Sequence, residues 1–227
     1  IFRSMPTAEE FGRTAARYAA EQGCKRTVIY YADNQYGRSL ANAFENQAGT
    51  LGVEVVDRLS GYGGLKLEDL LPRWQVLGFD SIFLVESLPG GVDFIVEARK
   101  AGVTAPIYAC SDLDSSELLQ AGGKAVEGTT VFSVFDPADP RPEGRAFINS
   151  FQNRYGVEPG WLTAQGYDAL KLLAEAIKLA GSADPHQIAG KLRDMKKWSG
   201  VTGSHSFDQN GSILDKPIVI KIVSEEK

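Results

Sequence analysis

Residues Arg26 to Val56 read RTVIYYADNQYGRSLANAFENQAGTLGVEVV. Thr27 to Tyr31 is a run of β-prone side chains, which predicts a buried strand. Ala32-Asp33-Asn34-Gln35-Tyr36-Gly37 is polar and turn-like. Leu40, Ala43, Phe44, Ala48 and Leu51 then recur at helical spacing until Gly52 stops the helix, and Val53 to Val56 predicts a second strand. Strand, helix and strand in so short a span make one β-α-β unit with a parallel crossover. In an open parallel sheet ligands sit beyond the carboxyl ends of the strands, so the turn Asp33 to Gly37 is the first candidate for function. Asp33 and Asn34 can equally serve only to shape the turn and cap the helix.

The pattern extends outward from this unit. Upstream, Thr7 followed three residues later by Glu10 is a capping box. Phe11, Ala15, Tyr18 and Ala19 form the apolar face of the helix it opens, and Gly23 ends it. Downstream, Leu59 to Gly64 is a loop around Tyr62, and Leu65 to Leu77 is a helix interrupted by Pro72. Asp80 to Val85 is a third strand, Glu86 to Gly91 a loop, and Val92 to Ala101 a helix stopped by Gly102. Pro106 to Ala109 is a fourth strand. Ser111 to Ser116 leads into a short helix, Glu117 to Gln120, and Gly128 to Phe135 is a fifth strand. The order predicts an α/β fold, a doubly wound parallel sheet of about five strands, over 1–135.

The composition then changes. Asp136 to Pro142 carries three prolines and reads as a crossing segment. Helices follow at Gly144 to Tyr155, Trp161 to Ala180 and Pro185 to Met195, the last capped by Ser182 or Asp184 with Pro at an early position. Tyr167, Leu170, Leu173, Ala174, Ile177 and Ala180 lie on one stripe of the long helix. No strands accompany these helices, so 136–200 is expected to cover a sheet belonging to a second lobe. In 201–227, Gly203 to Phe207 and Pro217 to Val223 read as a hairpin-like pair around Asp208-Gln209-Asn210-Gly211.

The chain has 227 residues, of which 43% are hydrophobic and 23% charged, within the range of ordinary soluble domains. A formal charge of -5 without a Lys/Arg-rich stripe argues against nucleic acid. No apolar run approaches the ~20 residues of a membrane helix, and IFRSMPTAEE lacks the charged-then-apolar opening of a signal peptide. Cys24 precedes the first strand and Cys110 follows the fourth, at opposite ends of the sheet, so no disulfide is expected. No Cys/His metal spacing is present, and His186 and His205 stand alone, as surface or capping residues.

Enzyme patterns fare poorly. Gly61-Tyr62-Gly63-Gly64 is not followed by the Gly-Lys-Ser/Thr of a phosphate loop, nor by the third glycine of a dinucleotide fingerprint. No Gly-x-Ser-x-Gly elbow occurs. Asp33 as a strand-end phospho-acceptor lacks a preceding acidic residue and a matching Lys. No catalytic residue, metal or cofactor is therefore expected. The residues gathered at the strand ends are Asp33, Asn34, Gln35 and Tyr36, then Tyr62, then Glu86 and Ser87, then Ser111 and Asp112.

Six short stretches, in order, resemble a known family: Ile1-Phe2-Arg3; Asp33-Asn34-Gln35-Tyr36-Gly37; Ala98-Arg99-Lys100-Ala101-Gly102; Tyr155-Gly156 with Pro159; Gly166-Tyr167-Asp168-Ala169-Leu170; and Phe207-Asp208-Gln209-Asn210-Gly211. The chain resembles type I periplasmic binding proteins, specifically the leucine/isoleucine/valine-binding receptors of ABC transporters. The resemblance implies two α/β lobes joined by three crossings, with a small ligand closed between them. It also implies that this chain holds the second lobe and the helices returning to the first, whose sheet is expected to precede Ile1. A membrane permease is the implied partner, the location periplasmic or extracellular, and self-association through the orphan helices a further expectation. A sensory domain of the same fold is the alternative.

By the same resemblance Tyr36 contacts the ligand and an acidic side chain near Ser111-Asp112 holds its ammonium. Asp112 is the first choice and Glu86 the reserve. From the residues themselves, Tyr167 and Asp168 are expected to anchor the returning helix rather than to bind ligand. Branched-chain receptors carry an aromatic in the loop after the third strand, where this chain has Ser87-Leu88-Pro89. An altered side-chain pocket follows, open to branched-chain and other amino acids, aromatic acids or amides.

Overall fold

A computed structural model describes residues 1–61 and 66–224. Tyr62, Gly63 and Gly64 of the predicted loop lie outside the described residues. The chain forms two compact units, Thr7–Phe132 with Ile220–Lys227, and Ile1–Pro6 with Ser133–Val219.

The first unit holds helix α1 (Ala8–Glu21), β1 (Arg26–Tyr31), α2 (Gln35–Thr50), β2 (Glu54–Ser60), α3 (Leu67–Leu77), β3 (Ser81–Val85), α4 (Gly90–Lys100), β4 (Ile107–Ala109), α5 (Ser116–Gly122) and β5 (Thr130–Ser133). The capping box forms as expected: Glu10 N donates to Thr7 Oγ1 at 3.1 Å and Thr7 N to Glu10 Oε2 at 2.6 Å. Pro72 sits inside α3 without ending it. Strands β2, β1, β3, β4 and β5 pair in parallel, in that order. β8 (Val219–Ile222) completes the sheet as a sixth strand beside β5. No helix among the described residues is long and apolar enough to cross a membrane.

The core follows from the period-two alternation of strand side chains. Val28, Ile82, Leu84, Ile107, Ala109 and Val131 pack on one face against Leu70, Trp74, Phe94 and Ile95 of α3 and α4. The opposite face carries Phe83, stacked on Phe44 of α2 at 4.4 Å, and Tyr108 and Phe132, both edge-on to Tyr18 of α1. β3 is buried throughout, as a central parallel strand must be. From β1 the chain crosses outward to β2, whereas from β3 it runs the other way through β4 to β5. The crossover direction reverses between β1 and β3, and a crevice opens beyond their carboxyl ends at such a switch point.

The second unit holds α6 (Pro142–Tyr155), α7 (Trp161–Ala180), α8 (Pro185–Asp194) and an antiparallel pair, β6 (Trp198–Gly200) with β7 (Gly203–His205). Asp184 caps α8, accepting from His186 N at 3.1 Å and Gln187 N at 3.0 Å. Gly203 to His205 therefore pairs with Trp198 to Gly200, and Pro217 to Val223 supplies a strand of the main sheet. The expected hairpin between them does not form. Its turn does: Asp208 Oδ1 accepts from Asn210 N at 2.9 Å and Ser212 N at 2.8 Å, under an antiparallel bridge from Phe207 to Ile213. Residues 1–4 run beside this turn, with Arg3 in parallel register with Ser212.

The predicted stripe of α7 faces outward. Leu170 is 71% exposed, Leu173 43% and Ile177 39%, while Ala164, Gln165, Asp168, Leu172 and Ala176 form the covered face. His205 is wholly buried, not a surface residue as its isolation in sequence suggested.

Candidate functional site

Parallel pairing brings the strand ends level. Tyr31 is in register with Val85 and Leu84 with Ala109, so the segments after β1, β3 and β4 emerge side by side. Ala32 N donates to Val85 O at 2.8 Å and Cys110 N to Leu84 O at 3.3 Å, which carries the ladder past the strand ends.

The segment after β1 turns sharply into α2. Asn34 Oδ1 accepts from Gly37 N at 2.8 Å, which occupies the amide as a helix cap. Gly37 is required here: a Cβ on it would lie 2.2 Å from Ala32 O. Asp33 is ion-paired with Arg38. Gln35 is the first residue of α2 and exposed. Tyr36 follows it and keeps 37% of its surface exposed.

After β4 the chain enters a short 3-10 turn, Ser111–Leu113, placed against Tyr36. Burial pushes the Tyr36 hydroxyl well above the usual tyrosine range. Cys110 and Asp112 push the same way, opposed by a hydrogen bond with the Ser111 side chain. The thiol of Cys110 is fully buried and pushed up to about 12, mainly by desolvation and then by Asp112. The Asp112 carboxyl is raised by burial alone. Asp112 does not cap the following helix, because Ser115 Oγ takes that place, accepting from Glu117 N at 3.1 Å. Tyr36, Ser111 and Asp112 thus form one polar cluster at the switch-point crevice, with Cys110 as its buried floor.

Glu86 stands apart. It continues the Ile82, Leu84 parity of β3 and so points to the α3/α4 face, whereas Tyr36 belongs to α2 on the other face. A Cβ on Gly61 would come 2.9 Å from Glu86 Oε1 and 3.1 Å from the Tyr30 hydroxyl, so Gly61 is what lets these groups meet. Burial raises the Glu86 carboxyl, opposed by the Ser87 backbone N–H. Tyr30, Gly61 and Glu86 border an open groove of about 790 Å³ between α3 and α4. The groove does not include Tyr36, Ser111 or Asp112, so it and the strand-end cluster are separate features. Ser87 is exposed at the start of the loop.

Among the described residues neither Asp112 nor Glu86 has a cationic partner. No described group of three His, Cys, Asp or Glu side chains is placed to hold a metal ion. What the cluster offers is a desolvated carboxylate, two hydroxyls and an aromatic ring, the means to bind a small cation-bearing molecule. Sequence reasoning missed Cys110 and Tyr30, neither of which has a motif.

A family model described as "Periplasmic binding protein" matches residues 1–223. The chain belongs to the periplasmic binding protein family. Among curated members, the Leu/Ile/Val-binding protein homolog 1 of Brucella suis is 27% identical over 92% of this chain and 57% of its own length. The leucine-, isoleucine-, valine-, threonine-, and alanine-binding protein of Pseudomonas aeruginosa is 25% identical over 94% of this chain and 57% of its own. Among solved structures, an ABC transporter substrate-binding protein of Desulfitobacterium hafniense in complex with Leu is 39% identical with a TM-score of 0.85, covering 99% of this chain and 65% of that one. A leucine-binding protein of Thermotoga maritima is 31% identical with a TM-score of 0.88, covering 96% and 63%. This periplasmic binding protein chain therefore spans little more than half the length of the curated relatives it matches. Its mostly parallel α/β architecture is that of the matched structures.

Proposed function

We propose that this chain is part of a periplasmic or extracellular solute receptor that delivers an amino acid, or a similar small polar molecule, to an ABC-transporter permease. One observation carries the reading: the uncompensated Asp112 carboxylate lies with Tyr36 and Ser111 at the switch point of the sheet. In this reading Asp112 takes the ligand's ammonium, Tyr36 covers it with ring and hydroxyl, and Ser111 fixes the Tyr36 hydroxyl. Asn34 shapes the turn, and Gln35, Ser87 and Glu86 stand at the margin. No chemistry is done on the ligand. The matched relatives name leucine and its neighbours, and Ser87-Leu88-Pro89 alters the pocket that would read the side chain.

Binding works by closure of two lobes, with the ligand shifting the hinge toward the closed state. The outward stripe of α7 then belongs under the sheet of the other lobe, and 136–200 is that lobe's helical layer. The chain alone holds only half of the polar partners. Titration calorimetry against an amino-acid panel is expected to show binding by a receptor extended to the length of its relatives, and none in the micromolar range by residues 1–227. Light scattering is expected to show the short chain self-associating through α7. Micromolar binding by the short chain would refute the half-site argument.

A further inference from the structure

The chain changes unit three times, at Pro6–Thr7, Phe132–Ser133 and Val219–Ile220. The first and last of these segments approach their changes together. Arg3 N donates to Gly211 O at 2.7 Å and Ile213 N to Arg3 O at 3.0 Å. Lys216, three residues before the last change, fastens the pair: its Nζ donates to Ser4 O at 2.9 Å, two residues before the first change. The same Nζ lies 2.6 Å from Gln165 Oε1 on α7 and 2.8 Å from Thr202 Oγ1 between β6 and β7. Three oxygens thus lie within hydrogen-bond reach of one ammonium, in a residue only 7% exposed.

The surroundings are built for this. Asp168 on α7 accepts from Val201 N and Thr202 N, both at 2.8 Å, and from the Thr202 hydroxyl. Its negative charge favours the ammonium, against burial, which pushes Lys216 down to about 7. His205 Nδ1 faces Gly203 O at 3.1 Å, so Nε2, 3.1 Å from Lys216 Nζ, presents a lone pair. Asp215, immediately before the lysine, has a φ of 51°, a conformation a non-glycine residue keeps only where its surroundings impose it.

We propose that Lys216 is a positioning residue for ligand capture: it locks the first and last crossing segments to each other, to α7 and to the β6–β7 pair, so that they bend as one hinge. The inference rests on the receptor reading above. Without the lock the two segments move independently and the open ensemble gains conformers, which lowers the share of closed receptor and the apparent affinity with it.

The test uses the receptor extended to the length of its relatives, with Lys216→Met and Lys216→Gln. Burial already pushes Lys216 down to about 7, so an uncharged side chain of similar length is expected to fold there. Spin labels at Asn46→Cys and Lys178→Cys, both exposed, read the distance distribution between units without ligand. A broader distribution in Lys216→Met and Lys216→Gln than in the parent is expected. With L-leucine as probe, Lys216→Met is expected to weaken binding about tenfold, although Tyr36, Ser111 and Asp112 are untouched. A lower melting temperature with unchanged distribution and unchanged affinity would make Lys216 a structural residue and overturn the proposal. A parent receptor that binds no amino acid would overturn the receptor reading instead, and the ligand-free distributions would still decide the lock.

Discussion

Asp112→Asn in the extended receptor is expected to weaken amino-acid binding by about 30-fold or more, because truncating one partner of a buried charge pair costs some 2–5 kcal/mol. Titration calorimetry reads it directly. The size follows from the site: Asp112 has no described cationic partner and is desolvated, so an incoming ammonium meets an uncompensated charge. Asparagine keeps the volume and loses the charge. The pH dependence has a definite sign. Burial raises the Asp112 carboxyl above its ordinary 3.8, so affinity should fall as the pH drops through that raised value, and the Asn variant should not show the fall.

Stability should move the other way. A carboxyl that holds its proton more tightly when folded makes the native state bind more protons between 3.8 and the raised value, so stability is lost as pH rises through that window and stays lost at neutral pH. Asp112→Asn removes that cost, so the variant should bind worse and melt no lower, the trade-off expected of a binding residue. A variant that loses stability along with affinity would return Asp112 to the fold.

The strand-end cluster was legible because parallel strands deliver all their carboxyl ends to one edge. A reader who finds β1, β3 and β4 has found Tyr36, Ser111 and Asp112. Strand parity separates Glu86 from this cluster, since Glu86 shares its face with Ile82 and Leu84. Other features were not legible. Pro217 to Val223 declares itself a strand, but its partner is chosen by the sheet edge available beside β5, not by its own residues. Trp198–Gly200 is too short for an alternation to show. On α7 two faces compete. The leucine-rich one looked like the core, yet Gln165 and Asp168 are covered here, because their partners Ser4, Thr202 and Lys216 come from positions far along the chain. A network assembled across such separations has no spacing for a sequence to display.

That network supports the second large effect. Asp168→Ala is expected to destabilise the protein by about 2–6 kcal/mol, the cost of leaving two buried backbone donors unpaired. The substitution removes three accepted hydrogen bonds at once, leaving Val201 N and Thr202 N without partners inside the protein, at about 1–3 kcal/mol for each buried orphan. Gly200 lets the carboxylate in: a Cβ on it would sit 2.5 Å from Asp168 Oδ2. Lys216 limits the loss by giving up its proton, since burial already holds it near 7 against an ordinary 10.5 and the Asp168 charge is what opposes that. His205 carries no charge in the folded protein at neutral pH, because burial and Lys216 push it down to about 4.

The linkage has a sign of its own. Between 7 and 10.5 the unfolded chain holds a proton on Lys216 that the folded chain lacks, so stability should rise with pH across that window. Asp168→Ala should widen the window downward, and Lys216→Met should abolish it. Urea unfolding at a series of pH values measures both. A loss below about 1 kcal/mol, the size of one ordinary hydrogen bond, would mean that the carboxylate is not the centre of this network. Hydrogen exchange locates the damage: protection should fall at the start of α7 and across Val201 and Thr202, and hold at β1 and β3, whose core shares no side chain with Asp168.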